Sequence, residues 1–294
     1  MIPHHEGAAT TAPDTRPTPG LHLGIPELEY HALPGLSSTG IKNMLKSPAH
    51  YDWARTHRRE RVAFDVGHAA HAKILGVGLG VVEYPAEHLT PSGNVSEKAA
   101  TKNWAKEQRD QGLVPVTPDQ VAAVDAMAEK VARHPIAGKL IGSGIGTPEV
   151  SLFWDDPVTG VRCKGRIDYL HGAPVAVDLK TGRSADPRRF GPTAADYGYA
   201  EQAVHYLNGL TATRGDTDAR FFQVLVETDP PHHVAVVELD ETFRFLAEQR
   251  VRRAIDLYAE CVQSGEWPSY PAVIHPVAPP AWYEPDNDQE EMVV

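Results

Sequence analysis

The stretch Val161-Arg162-Cys163-Lys164-Gly165-Arg166-Ile167-Asp168-Tyr169-Leu170 is followed, past a His171-Gly172 turn, by Pro174-Val175-Ala176-Val177-Asp178-Leu179-Lys180. Both runs alternate, which is the period of a β-strand. In the first, Val161, Cys163, Ile167 and Tyr169 fall on one face and Arg162, Lys164, Arg166 and Asp168 on the other. In the second, Val175, Val177 and Leu179 share a face opposite Ala176, Asp178 and Lys180. Paired as a hairpin, the two polar faces coincide, and Asp168, Asp178 and Lys180 converge on one patch flanked by three cations. Neighbouring carboxylates raise each other's pKa unless something positive lies between them. A hard divalent cation is the natural occupant, and Mg²⁺, which takes oxygen ligands and bridges to phosphate, suits phosphodiester chemistry. Lys180 would then orient or deprotonate the attacking water, with its pKa lowered beside the metal. A lone Asp-x-Lys is most often a surface pair on an exposed strand; the Arg-Ile-Asp strand at hairpin distance sets this one apart.

Working outward, residues 149–154, 219–227 and 234–239 read as further strands, the first joined to the hairpin by a turn at Asp156-Pro157. The first three strands form an antiparallel meander. A helix over 195–210 precedes the last two strands and a long one over 241–263 follows them. Upstream, Ser37 or Ser38 caps a short helix through Leu45, Pro48 opens a second, and a third spans 64–75. Asn94 with Glu97, and Thr117 with Gln120, look like capping-box starts, the latter helix stopping near His134-Pro135. Helices, three strands, helix, two strands and helix make an α/β or α+β domain around one mixed sheet.

The remaining composition bounds the function. Over 294 residues, 39 acids against 28 Lys and Arg leave a formal charge of −11, which argues against a non-specific nucleic-acid coat held by cations. The charge is unevenly placed: residues 42–73 and 162–189 each carry seven Lys and Arg against three Asp and Glu. Cys163 and Cys261 are too few for a disulfide framework or a four-thiolate cluster, and suggest a reducing, cytoplasmic setting. No apolar run reaches the roughly 18 residues of a membrane span, and the start lacks a signal pattern. Residues 1–24, rich in Pro, Thr, Ala and Gly, read as a flexible leader, 25–283 as the folded domain, and 284–294 as an acidic disordered tail.

Gly165-Arg166-Ile167-Asp168 with Asp178-Leu179-Lys180-Thr181 resembles the PD-(D/E)xK nuclease core, and Gln202 with Tyr206 resembles the Q-x-x-x-Y helix element of its RecB/RecE-like branch. Residues 30–37, 46–51 and 67–75 are similar to the exonuclease VIII, RecE-type, nuclease domain, so the likeness covers about residues 28–282. It implies a restriction-endonuclease-like core, a central mixed sheet flanked by helices. It also implies roles. His71, four residues after Gly67, takes the place of the metal-binding histidine; Asp168 and Asp178 are the metal carboxylates, with the Leu179 carbonyl as a further ligand. Glu149 stands where the family has an upstream acid; the alternative for an acid at the start of a strand is a solvated edge residue. Gln202 and Tyr206 position the Asp-x-Lys strand or the scissile phosphate, and Tyr199 shares their helix face. Ile167 replaces the proline that often precedes the aspartate.

The function this implies is Mg²⁺-dependent hydrolysis of linear double-stranded DNA from 5′ ends, with Mn²⁺ able to substitute. Arg162, Lys164, Arg166, Arg183, Arg58 and Arg59 would guide the DNA. The resemblance adds a homo-oligomer, a single-strand annealing protein as partner, and a phage or prophage recombination setting, with no membrane. A RecB-like or CRISPR-adaptation-type nuclease and a non-catalytic DNA-end-binding protein are the alternatives. A zinc hydrolase built on His68 and His71 lacks a third ligand and a neighbouring general base.

Overall fold

The computed structural model describes residues 17–280, apart from 58–65, 79, 143, 145 and 173, together with Tyr283. In chain order the elements are β1 Gly20–His22, α1 Glu27–Ala32, α2 Ser38–Lys46, α3 Pro48–Thr56, α4 Val66–Leu75, β2 Gly80–Glu83, α5 Ala99–Asp110, β3 Leu113–Val116, α6 Pro118–Arg133 and α7 Ala137–Ile141. Then come β4 Thr147–Asp155, β5 Arg162–Leu170, β6 Val175–Gly182, α8 Pro187–Tyr197, α9 Tyr199–Arg214, β7 Arg220–Glu227, β8 Val234–Val237 and α10 Glu241–Ser264. Six strands form one sheet in the order β1-β4-β5-β6-β7-β8, and β2 pairs with β3 in a small parallel sheet. Every neighbour in the large sheet is antiparallel except β6 and β7, which run parallel across the α8–α9 crossover.

Alternation on the strands sets the layers. In β6, Val177 and Leu179 pack with Val224 and Val226 of β7 under α4, α6 and α7. On the other face Val150, Leu152, Trp154, Cys163 and Ile167 meet Ile41 and Met44 of α2, Ala203 and Leu210 of α9, and Val251 of α10. Burying a side chain such as Leu152 or Ile167 contributes roughly 1.5–3 kcal/mol, so both layers hold the sheet rigid beneath the polar residues of β6. No helix among the described residues is long and apolar enough to cross a membrane.

Local signals account for many boundaries. Ser37 accepts the Gly40 N–H at 3.2 Å and caps α2, while Thr117 and Gln120 close a reciprocal capping box at the start of α6. Three expectations need correction. Asn94 does not start a helix: its N–H donates to Thr90 Oγ1 at 3.1 Å and its carbonyl accepts from Thr90 at 2.8 Å, closing a loop, and α5 begins at Ala99. The single helix expected over 195–210 is two, because Gly198 adopts a left-handed backbone (φ 69°) that ends α8 and starts α9. Lastly, the leader is structured before residue 24. Gly20, Leu21 and His22 pair with Phe153, Leu152 and Ser151, through backbone bonds to which a poorly apolar composition is irrelevant. Residues 1–16 and 284–294 lie outside the described residues.

Candidate active site

β5 and β6 pair only at Tyr169–Val177 and Leu170–Ala176, and then separate. Into this opening comes Asp168, whose Oδ2 accepts the Leu179 N–H at 2.8 Å. On β6 the buried Asp178 meets Lys180, its Oδ2 lying 2.6 Å from Nζ. Gln202 of α9 reaches both: its Nε2 donates to Asp178 Oδ1 at 2.8 Å, and its Oε1 accepts from Lys180 at 3.2 Å. An amide has one donor end and one acceptor end, so a carboxylate and an ammonium side by side fix which way it points. Tyr206, one turn further, takes a weaker 3.4 Å bond from the same amide. α9 can lie this close to β5 because residue 165 has no side chain; a Cβ on Gly165 would stand 2.9 Å from the Tyr206 ring. Tyr199, whose ring centroid is 4.5 Å from Lys180 Nζ, completes the enclosure. Its contact with the lysine was legible only as a residue one turn before Gln202.

The charges are strained toward one another. Burial, and then the Asp178 charge, push the Asp168 carboxyl well above the usual carboxylate range despite Lys180 and the Leu179 N–H. Burial pulls the Lys180 pKa down, but Asp178 and Asp168 outweigh it and the net shift is upward. Two carboxylates here face one ammonium; the lowering expected for Lys180 refers to the metal-bound site. His71 of α4 places Nδ1 3.7 Å from Asp168 Oδ2; burial lowers its pKa more than the attraction of Asp178 restores, which favours the neutral imidazole, the form that binds metals. Glu149 sits across the β4–β5 ladder from Asp168, between the Pro148–Tyr169 and Val150–Ile167 pairs. Its left-handed backbone (φ 55°), a conformation that costs on the order of 1–3 kcal/mol, accompanies a carboxylate that ion-pairs Arg166.

The cations of β5 do not line a channel. The Lys164 side chain is buried, and its ammonium donates to the carbonyls of Tyr30, His31 and Leu33 at 3.0, 3.4 and 2.6 Å. Arg166 binds Glu149 and the Ile25 carbonyl, and Arg162 binds Asp155 and the Pro17 carbonyl. The expected basic face is thus the seat of residues 17–33, whose backbone oxygens take up its donors. Arg183 is exposed just beyond β6, and Arg58 and Arg59 lie outside the described residues.

Among the described residues, no three carboxylate, imidazole or thiol groups are gathered tightly enough to hold an ion. The donor chemistry nevertheless fits a hard divalent cation. Asp168 and Asp178 repel across the opening with one ammonium between them, the Leu179 carbonyl lies on the same strand, and His71 offers a neutral nitrogen. His68 is exposed on α4.

A mixed sheet that opens between two strands, with an aspartate on one and Asp-x-Lys on the other clasped by a helical glutamine, is the arrangement of a PDDEXK-like domain. The chain belongs to the family described as a PDDEXK-like domain of unknown function (DUF3799), whose model matches residues 37–274. Among solved structures it is similar to a candidate exonuclease from Eubacterium rectale, with a TM-score of 0.57, 12% identity, and coverage of 87% of this chain and 97% of that one. An alkaline exonuclease from Laribacter hongkongensis (TM-score 0.27, 18% identity, 66% of this chain and 95% of that one) and a phage related exonuclease from Haemophilus somnus (0.31, 12%, 69% and 97%) also match. Of these three, the first superposes closely enough to speak for the fold, and at its identity it speaks for the fold alone. No curated protein matches the chain.

Proposed function

We propose that this domain is a Mg²⁺-dependent exodeoxyribonuclease that hydrolyses the phosphodiester bonds of linear double-stranded DNA, from 5′ to 3′. The observation that carries the reading is the Gln202 amide joined at once to Asp178 and Lys180. A structural lysine on a strand has no need of a second helix to aim it, whereas a group that must meet a phosphate within a few tenths of an ångström does. Asp168, Asp178 and the Leu179 carbonyl are the groups that would hold Mg²⁺, or Mn²⁺ in its place, with His71 beside them. The ion, when bound, supplies positive charge to the phosphate and makes water a better nucleophile.

The rest falls to the chain. Lys180, held between Asp178 and Gln202, is placed to donate a hydrogen bond to the attacking water or to a phosphate oxygen and to balance developing negative charge. Gln202 holds that ammonium in line with Asp178, and Tyr206 backs the amide. Arg183, exposed just beyond β6, would contact the DNA backbone. A homo-oligomer, a single-strand annealing partner and a phage recombination setting in the cytoplasm of a host cell belong to the same proposal and rest on the family resemblance.

The test uses linear duplex labelled separately at 5′ and 3′ ends beside closed circles, with Mg²⁺ or chelator, and Asp178→Ala as control. Metal-dependent loss of linear DNA with early release of the 5′ label and intact circles is expected. Cut circles would replace the reading with an endonuclease, and binding of ends without turnover would replace it with a DNA-end-binding protein.

A further inference from the structure

The break at Gly198 does more than divide a helix. Residues two apart on one continuous helix project about 200° apart and cannot meet. Here Tyr197 closes α8, Tyr199 opens α9, and the left-handed glycine between them turns both rings to the same side. Their centroids lie 5.7 Å apart with planes inclined by 21°. Phe190, on the first turn of α8, stacks on Tyr199 from 6.0 Å at 19°. The row therefore has three near-parallel rings. One end, Phe190, is buried against Ala194 and Leu225. In the middle, Tyr199 lies under the Lys180 ammonium. At the other end Tyr197 is 60% exposed, and Lys42 of α2 fastens the junction, donating to the Tyr197 carbonyl at 3.1 Å with its ammonium 5.3 Å from the ring centroid.

A large aromatic ring held parallel to a stack that runs into the core, 60% exposed and with one ammonium beside it, is a surface for a flat π-system that also carries a phosphate. Next to a group that handles phosphodiesters, that ligand is a nucleobase. We propose that Tyr197 is the platform of a base-stacking subsite, on which an unpaired base at a DNA end lies while the adjoining phosphate is presented to Lys180. Stacking tolerates every base because each has a π-face, so the subsite selects for an unpaired base and not for sequence. Duplex ends that fray readily present such a base; an intact stack does not. The inference rests on the nuclease reading for the identity of the ligand, and its readout is independent of cleavage.

The probe is a blunt duplex with 2-aminopurine as its terminal base, whose fluorescence falls when the base stacks on an aromatic ring. It is added to the full-length protein in chelator, where the proposed hydrolysis does not run, and end binding is followed in parallel by anisotropy. Wild type is expected to quench the probe at saturation several-fold. Tyr197→Ala should lose most of that quench and weaken end binding by about tenfold, while Tyr197→Trp keeps both. Exposure of the side chain means that Tyr197→Ala should melt as wild type does, which separates lost stacking from lost fold. Undiminished quenching by Tyr197→Ala at saturation, or failure of Tyr197→Trp to restore it, overturns the subsite. If wild type stacks the base yet degrades no DNA once Mg²⁺ is added, the nuclease reading falls and the subsite stands. If wild type degrades DNA but never quenches the terminal base, the reverse holds.

Discussion

Two polar rows on adjacent strands look alike in the sequence and do opposite things in the fold. Arg162, Lys164 and Arg166 alternate along β5, and Asp178 and Lys180 alternate along β6. The β6 pair meets a single side-chain amide, and the Asp178 carboxylate is left in tension with that of Asp168, which burial and Asp178 raise. The β5 trio meets backbone carbonyls from Pro17, Ile25, Tyr30, His31 and Leu33, together with Asp155 and Glu149, and is stabilised by them. Charge pattern alone does not say whether a row of cations faces solvent, a ligand or the chain itself. What decides it is the partner, and here the partner of the cations is a segment whose composition advertises nothing.

The sharpest way to break the contrast is at the β6 end. Asp178→Ala or Lys180→Ala should lower cleavage by at least about a hundredfold with duplex binding nearly intact, measured by end-label release and anisotropy; equal loss of both would make Lys180 a binding residue.

His205 lies on α9 beside the β5 row, with Nε2 3.2 Å from the Leu36 carbonyl and 3.1 Å from that of Lys164. Both partners accept, so Nε2 carries the proton, and burial drops the imidazole pKa to about 4. The folded protein then binds this proton less tightly than the unfolded chain. The contribution of His205 to stability is complete above about pH 6.5 and is lost as the pH falls from there toward 4, by up to about 3 kcal/mol. Chemical denaturation at pH 7 and 5 should show the loss in wild type and a smaller one in His205→Gln; identical slopes would remove His205 from the account.

At the β5 row, Lys164→Met should cost about 1–3 kcal/mol, since three buried carbonyls lose their donor, and should leave DNA affinity at fixed salt unchanged. A drop in affinity without a drop in stability would return Lys164 to the DNA. The mildest effect belongs to an exposed cation: Arg183→Ala should weaken binding a few-fold and make the log–log salt slope shallower by about 0.9. No change in slope would mean that Arg183 touches no phosphate.

Much of this molecule was legible in its sequence, for reasons that also explain the rest. The meander of β4, β5 and β6 follows from alternation, and the Asp178 and Lys180 face from the same rule. Gln202 could be placed on the face of α9 that carries Tyr199 and Tyr206, because helical spacing is regular. Features set by a single backbone torsion were not legible: Gly198 in an apolar helical pattern reads as an ordinary residue until its φ is known, and with it the stacking of Tyr197 on Tyr199. Nor was pairing that depends on main-chain groups alone, which is why β1 and the carbonyls that hold Lys164 were missed.

β1 has a consequence out of proportion to its three residues. A sheet ends in a strand whose outer N–H and C=O groups have nothing to bond, and such an edge recruits strands from other molecules. On the β4 side that edge would carry Ser151, Leu152 and Phe153, all fully buried in the intact fold. Gly20–His22 covers it and leaves a border three residues long. A chain shortened to begin at Ile25 would keep Asp168, Asp178, Lys180 and Gln202 in place, yet expose a template for self-association, so poor solubility of such a fragment would reflect an opened border and not a failed core.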